Sequence, residues 1–358
     1  MKVLQVNKLY YPWIGGIESH VKSLSEGLKK SGINVKVLVC NHRFKFEIVT
    51  IEGVEVKRIP SFGIFWSMPL SPFFSFFLSS YIKNFDLVHF HLPFPLSHLF
   101  PDKLRNKSYI ITWHSDIVRQ KHMLNLMRPS LIKFLKRSSK IIVTSKRIID
   151  SSELLQTFKS KIEIVPYGID YKYYKPFIGE GEYILFVGRL VYYKGVEYLI
   201  KAMKKINSQL VIVGDGSLKP KLINMSHDLG LSSRVKFLGN VDKDRLIDIY
   251  SKSLFLVLPS VEKTEAFGLV QLEAMASGKP VINTNLPTAV PEVCPDGECG
   301  ITVPPKDVES LREAINTLLY NDELRRVYGY NALNRVINEY SMEKMVKRIV
   351  NLYSSLSL

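Results

Sequence analysis

Glu265 and Glu273 lie roughly two helical turns apart in the run Glu265-Ala-Phe-Gly-Leu-Val-Gln-Leu-Glu273. On a helix, that spacing stacks the two carboxylates on one side. Gly268, between them, would bare the first amides of a helix closed by Gly278 and Pro280, a natural phosphate seat. A carboxylate accepts paired hydrogen bonds from vicinal hydroxyls, so the flanking acids suit a sugar at one end and a ribose at the other. Two ordinary glutamates of an amphipathic helix fit the same spacing. Gly188-Arg189-Leu190 and Lys194-Gly195 directly follow the strand-like run Tyr183–Val187. A glycine leaving a strand lets backbone approach a ligand, and a nearby Arg and Lys can converge on a diphosphate. A solvated turn with two surface cations is the plainer alternative. Gly214-Asp215-Gly216 reads as a tight turn. Asp242-Lys243-Asp244 has the form of a metal–nucleotide site but precedes a helical pattern, where acidic residues serve as caps, so no metal is expected.

The elements that must position these groups are short apolar runs alternating with helical stretches: Val3–Val6, Val35–Val39, Leu87–Phe90, Tyr109–Trp113, Ile141–Thr144 and Ile162–Val165. After a polar, aromatic connector (Tyr171 to Glu182) a second series begins with Tyr183–Val187, Leu210–Val213 and Val235–Leu238. It continues with Leu254–Leu258, Val281–Asn283 and Ile301–Val303. This alternation predicts an α/β fold of two Rossmann-like, doubly wound domains, residues 1–168 and 183–340, with a C-terminal helix over 341–358. Ligands of such sheets bind beyond the carboxyl ends of the strands, so two domains facing each other would make a cleft.

A chain of 358 residues with 46% apolar and 23% charged residues suits two folded cores, not a disordered or fibrous protein. No uncharged run suits a membrane span, since Ile59 to Phe85 is broken by Pro60, Pro69 and Pro72. Met1-Lys2 leads straight into Val3-Leu4-Gln5-Val6 without a signal-peptide pattern, which predicts a cytoplasmic protein. Cys40, Cys294 and Cys299 are too few for a disulfide framework or a zinc site. The net charge of +16 is uneven: residues 1–170 hold 25 Lys/Arg against 12 Asp/Glu. Arg119 to Lys140 contains Arg119, Lys121, Arg128, Lys133, Lys136 and Arg137 and no acid, with Leu124, Met127, Leu131, Phe134 and Leu135 at helical spacing. A basic amphipathic helix can lie on an anionic membrane beside the aromatic run Phe73, Phe74, Phe76 and Phe77. The same stripe would also pack against a sheet.

Taken in order, five motifs resemble the retaining family 4 glycosyltransferases of the two-Rossmann-domain, GT-B type, over nearly the whole chain. They are Gly15-Gly16-Ile17-Glu18, Trp113-His114-Ser115-Asp116, Pro166-Tyr167-Gly168-Ile169-Asp170, Gly188-Arg189-Leu190 with Lys194-Gly195, and the Glu265/Glu273 pair. The resemblance implies that Arg189 and Lys194 hold the donor diphosphate and that Glu273 binds the ribose. Glu265 would contact the sugar, helped by Ala266 and by the amides of Phe267, Gly268, Leu269 and Val270. Gly15, Gly16 and Gly188 would admit close backbone approach, His114 would stand beside the transferred sugar, and Asp116 would be its neighbour. It further implies transfer without a metal or other cofactor, from a nucleotide sugar to a lipid-linked or glycan acceptor. The phrasing around His114 and Glu265 looks most like mannosyltransferases, favouring GDP-mannose, with UDP-linked hexoses second. A nucleotide-sugar epimerase and a basic nucleic-acid-binding module are the competing readings. No recognised nucleic-acid motif is present, and Gly15-Gly16 lacks the full dinucleotide fingerprint of a dehydrogenase.

Overall fold

Apolar runs separated by helix-length segments can pair only in parallel, because a parallel neighbour needs a crossover connection. In the computed structural model the chain divides into two such units, Met1–Gly168 with Met342–Leu358, and Ile169–Ser341. The structure describes residues 1–13, 15–65, 68–99, 104, 107–115, 121–176 and 181–356, without the side chains of 121–126.

In the first unit the strands are β1 (Lys2–Val6), β2 (Asn34–Cys40), β3 (Glu47–Ile51), β4 (Val54–Ile59), β5 (Ile64–Phe65), β6 (Met68–Pro69), β7 (Leu87–Leu92), β8 (Tyr109–Trp113), β9 (Lys140–Val143) and β10 (Ile162–Ile164). Eight of them form one sheet in the order β10-β9-β8-β7-β1-β2-β4-β3, with β5 and β6 paired separately. Only β3, antiparallel to β4, departs from parallel pairing in that sheet. The order reverses between β1 and β7, the switch point at which such sheets bind ligands. The β3–β4 hairpin, turning at Glu52-Gly53, is absent from the strand-like runs read in the sequence. Its alternating Glu47-Ile-Val-Thr-Ile51 is only half buried, as suits an edge strand.

Successive strand residues point to opposite faces, so this unit has two apolar layers. Leu4, Leu38, Phe90 and Ile111 join Phe74 and Phe134 on one face, whereas Val3, Val37 and Ile110 join Val21, Leu24 and Ile349 on the other. The second layer is closed by the helix Gly16–Lys30 and by the C-terminal helix Met342–Ser355, which buries Met345, Val346, Ile349 and Tyr353. The chain's last helix thus completes the first unit's core.

One sequence expectation is redirected here. Within the helix Lys121–Arg137, Leu131, Phe134 and Leu135 are buried in the core, and the Phe134 ring lies 5.0 Å from that of Phe90 and 4.9 Å from that of Tyr109. These residues of the amphipathic stripe therefore face the sheet and are unavailable to lipid. Arg128, Lys133 and Lys136 are exposed and Arg137 is partly so; Arg119 and the Lys121 side chain lie outside the described residues. In the aromatic run, Phe74 is core, while Phe73 and Phe76 face solvent.

The second unit has six strands, β11 (Tyr183–Val187), β12 (Leu210–Val213), β13 (Val235–Gly239), β14 (Ser253–Val257), β15 (Val281–Thr284) and β16 (Gly300–Val303). All pair in parallel in the order β13-β12-β11-β14-β15-β16, the doubly wound dinucleotide-fold order, with its switch point between β11 and β14. Asp242 caps the helix Lys243–Lys252, its carboxylate accepting from the Arg245 amide at 2.9 Å. The three cysteines are buried and free.

Truncating a buried branched side chain loses its transfer free energy and leaves a cavity. Ile349→Ala is expected to destabilise the protein by about 2–4 kcal/mol in chemical denaturation. Lys347→Ala, on the exposed face of the same helix, is expected to change it by less than about 0.5 kcal/mol.

Candidate active site

In the second unit, the loops that leave β11 and β14 are locked together at the switch point. Lys194 ends a single helical turn, Tyr192–Lys194, and Gly195 follows with a left-handed φ of 64°. Glycine is required twice over, for that backbone and because a β-carbon there would strike the Pro259 carbonyl. The Val261 amide donates to the Tyr193 carbonyl at 2.8 Å. This junction places the Lys194 ammonium 2.5 Å from Glu265 Oε2, with both residues buried. The Ser260 hydroxyl donates to the same carboxylate oxygen at 3.0 Å, and the Ser260 carbonyl accepts from Thr284 Oγ1 at 2.6 Å.

Gly268 (φ 74°) precedes the helix Leu269–Ala276, which has no side-chain cap, so its leading amides are free of a competing acceptor at the cap. Buried Gln271 braces this loop from beneath: its amide donates to the carbonyls of Phe267 (3.1 Å) and Val290 (3.2 Å) and its oxygen accepts from Asn283 (2.9 Å). Phe267 is buried, while Ala266, Leu269 and Val270 are partly exposed. About one turn into the helix, Glu273 Oε2 accepts from the Tyr250 hydroxyl at 2.7 Å, and Tyr174 also bonds this carboxylate. Glu265 lies in the loop before left-handed Gly268, so the two carboxylates do not stack on one helix as their eight-residue spacing predicts. Desolvation raises the Glu273 pKa against the opposing effect of both tyrosines and Lys243. Arg189 is exposed just past Gly188 and bonds the Tyr193 hydroxyl at 3.2 Å. The second unit thus brings together Gly188, Arg189, Lys194, Glu265, Gly268 and Glu273 at the carboxyl ends of its strands.

The first unit's switch point carries a buried histidine cluster. Gly15 is the extended residue before the helix Gly16–Lys30, which again has no side-chain cap. His114, just past β8, is 2% exposed and engaged at both ring nitrogens, Nε2 to His91 Nδ1 at 2.9 Å and Nδ1 to the Tyr167 hydroxyl. His91 Nε2 meets Gln5 Oε1 at 2.7 Å, and Gln5 Nε2 donates to the Tyr353 hydroxyl at 2.9 Å. Tyr353 in turn meets His89 Nδ1 at 2.7 Å, and His89 Nε2 meets Thr112 Oγ1 at 2.6 Å. Because Gln5 Oε1 can only accept, His91 carries its proton on Nε2, its Nδ1 accepts from His114 Nε2–H, and His114 Nδ1 accepts from Tyr167. The His20 ring lies 4.2 Å from that of Tyr167 and 5.3 Å from that of His114.

Nitrogens of His20, His91 and His114 lie within 4.8 Å of one another, a spacing open to a zinc-type ion. Those of His91 and His114, however, are committed to each other, to Gln5 and to Tyr167, which makes the cluster a hydrogen-bond relay. Burial holds all four imidazoles neutral, taking His20 and His89 down to about 3 and His91 and His114 well below the usual range. Glu18 Oε1 in the first unit and Thr264 Oγ1 in the second are buried with no hydrogen-bond partner among the described residues. Asp116 lies outside them.

His20, His89, His91, Gln5, Tyr353, Tyr174, Tyr250 and Thr264 were not among the residues singled out in the sequence. His89 and His91 alternate onto one strand face, which was the one legible signal. The tyrosine contacts span too many residues for any motif.

Two doubly wound units, each with a strand-order switch point, fit the GT-B architecture, and comparison with known proteins agrees. Residues 14–173 match the model of glycosyltransferase family 4, and residues 174–335 that of glycosyl transferases group 1. The O-antigen chain mannosyltransferase C of Escherichia coli is 30% identical, with 99% of each chain covered. The D-rhamnosyltransferase WbpZ of Pseudomonas aeruginosa is 31% identical over 93% of this chain and 90% of its own. Sucrose-phosphate synthase from Thermosynechococcus elongatus shares the fold with a TM-score of 0.83 at 22% identity, covering 99% of this chain and 98% of its own. The chain belongs to the family 4 glycosyltransferases of the GT-B fold.

The buried imidazoles bear on acid stability. Unfolded histidines protonate near pH 6.5, whereas these remain neutral in the fold, so stability is present above about pH 6.5 and lost on acidification. The unfolding free energy from urea denaturation is expected to fall below that pH, by up to about 1.4 kcal/mol per pH unit for each imidazole; a flat profile down to about pH 5 contradicts the cluster. The sequence expectation that Glu273 binds the ribose predicts that nucleotide affinity falls as pH drops through its raised pKa. Tyr250→Phe removes a bond that stabilises the ionised form and should move that acidic limb to higher pH, measured by calorimetry.

Proposed function

We propose that this glycosyltransferase is a retaining, metal-independent hexosyltransferase that moves mannose from GDP-mannose to a glycan acceptor on a lipid carrier. The Lys194–Glu265 pair beside the Gly268-led helix is the observation that carries this reading. A buried ion pair is costly unless its charges serve something, and a diphosphate leaving group would share the Lys194 ammonium in place of a carboxylate partner. Arg189, exposed on the same loop, supplies a second cation. The uncapped amides of the helix Leu269–Ala276 seat the phosphate. Glu273, held by Tyr250 and Tyr174, takes the ribose diol. Glu265 turns to the sugar hydroxyls, with Thr264 as an additional hydroxyl partner.

Transfer proceeds on one face of the sugar. The bond from the anomeric carbon to the phosphate oxygen breaks as the acceptor oxygen bonds the same carbon, and the acceptor proton passes to the leaving phosphate. Arg189 and Lys194 stabilise the charge that develops there. His114 stays neutral in this scheme. With both ring nitrogens engaged, it acts by holding Tyr167 and the loop around it.

Mannose as the sugar is supported by the names of the two relatives, a mannosyltransferase and a D-rhamnosyltransferase, since D-rhamnose is mannose without its 6-hydroxyl. A donor panel of GDP-mannose, GDP-D-rhamnose, UDP-glucose and UDP-N-acetylglucosamine tests the assignment directly. GDP-mannose is expected to give the largest thermal shift and the highest turnover, with the anomeric configuration kept and activity retained in excess chelator. An inverted product overturns the mechanism. Lys194→Ala is expected to lower kcat by about 10²–10³-fold. Glu273→Ala should chiefly raise the donor KM, and Glu265→Ala should chiefly lower kcat; wild-type kinetics in both glutamate variants remove the pair from the mechanism.

A further inference from the structure

The first unit exposes aromatic side chains that its core does not need. From Pro60 to Ile82 the sequence has no charged residue, while the approach to it alternates cations with rings in Arg43-Phe44-Lys45-Phe46. Phe44 is 62% exposed, Phe62 56% and Phe76 67%, and Phe65, Leu70 and Phe73 are exposed with them. Their rings form two stacked groups. The ring of Phe44 stacks on Phe62 at 4.9 Å and meets Phe73 at 6.2 Å, and Phe77 links Phe46 (5.8 Å) with Phe76 (5.9 Å).

The backbone beneath is firmly built. Ser61 Oγ donates to the Asn41 carbonyl at 2.5 Å, Ser71 Oγ donates to the Pro60 carbonyl at 2.6 Å, and the Phe62 amide donates to the Leu70 carbonyl at 2.9 Å. Asn41 Nδ2 donates to the Lys45 carbonyl at 2.8 Å. Backbone groups satisfied in this way can enter an apolar medium without exposing bare amides or carbonyls, which is what a lipid environment demands.

We infer that this aromatic surface, flanked by Arg43, Lys45 and Lys83, is the membrane-docking face of the protein and seats in the headgroup–acyl boundary of an anionic bilayer. Its chemistry fits: a patch of adjoining exposed rings is rare on a soluble monomer, and a rim of cations around an apolar centre matches an anionic lipid surface. Position supports it as well. The segments follow β2 and β4, which run parallel to β1, so the patch lies beyond the carboxyl ends of the sheet, on the edge that carries Gly15, His91 and His114. Arg58 ties that edge together by donating to the Tyr11 carbonyl in the loop after β1 at 2.7 Å. An acceptor carried on a membrane lipid would then be presented to this same edge, and to that extent the inference rests on the proposed lipid-carried acceptor. The exposed cations of the helix Lys121–Arg137 would add attraction without insertion.

Vesicle flotation of the full chain, without donor or acceptor, tests the face separately from the transfer reaction. Wild type is expected to float with phosphatidylcholine vesicles containing about 30% phosphatidylglycerol and to bind pure phosphatidylcholine more weakly. The variant carrying Phe44→Ser, Phe62→Ser and Phe76→Ser should lose at least ~10-fold in partitioning while keeping its thermal midpoint and its GDP-mannose binding. Lys133→Glu with Lys136→Glu should reduce binding to the anionic vesicles alone. The inference is overturned if wild type does not float, or if the triple serine variant floats like wild type. It is also overturned if sedimentation shows a wild-type dimer that the serine changes abolish, which would make the patch a contact between copies. Failure of flotation with intact donor binding leaves the transferase reading standing; loss of donor selectivity with intact flotation has the opposite meaning.

Discussion

The contact between the loops that leave β11 and β14 governs the second unit. Gly195 must lack a β-carbon for the Pro259 carbonyl to approach, and the Tyr193–Val261 hydrogen bond then fixes the two loops in register. Only with that approach can Lys194, from one loop, reach Glu265, from the other. The pair is expensive to bury, and replacing such pairs by apolar residues often leaves stability unchanged or improved. Its retention at a strand-order switch point, beside an uncapped helix, is therefore more readily understood through ligand than through fold. The surrounding bonds agree, since Ser260, Thr284, Gln271 and Asn283 all hold backbone or carboxylate in place.

The first unit solves a comparable problem without charge. Four imidazoles are buried where a lysine or carboxylate would need a counter-ion, and desolvation, reinforced among His89, His91 and His114 by repulsion from neighbouring rings and Lys8, keeps them neutral. Neutrality lets each ring act as donor and acceptor at once, so that Gln5 can set the proton positions of His91 and, through it, His114. The order runs from strand β1 through β7 and β8 to the loop at Tyr167. Tyr353 anchors the far side, which gives the last helix a polar as well as an apolar reason to dock where it does.

What the sequence revealed, and what it hid, follows from the range of the forces involved. Strand positions and the two-domain pattern were legible because buried parallel strands are nearly continuous apolar runs, whereas Gly188, Lys194, Glu265, Gly268 and Glu273, ambiguous by spacing alone, stood out through the family resemblance of the motifs that hold them. Tyr250 and Tyr174 were not, since their contact with Glu273 depends on how the helices Lys243–Lys252 and Leu269–Ala276 pack. The Gln5–Tyr353 contact joins opposite ends of the chain and leaves no local trace. The helix Lys121–Arg137 misled in a more instructive way. Leu131, Phe134 and Leu135 form a stripe that a bilayer and a β-sheet would each accept, and helical periodicity cannot tell the two apart.

That ambiguity also shows where lipid affinity should be sought. A stripe at helical spacing announces burial but not the medium, so it weighs little in favour of a membrane. Phe44, Phe62 and Phe76 have no shared period, and Phe44 meets Phe62 only through the folds of the chain after β2 and β4. Burying Phe62 and Phe76 within the first unit would cost nothing in charge, because the residues between Pro60 and Ile82 are uncharged, yet the fold leaves them outside. The serine and asparagine side chains that hold this segment's backbone are themselves buried, which means that the sequence has invested its polar groups inward and its rings outward. Such an inversion of the usual arrangement is stable in water only while the rings lean on one another, and it becomes favourable on its own terms where the surrounding medium is apolar.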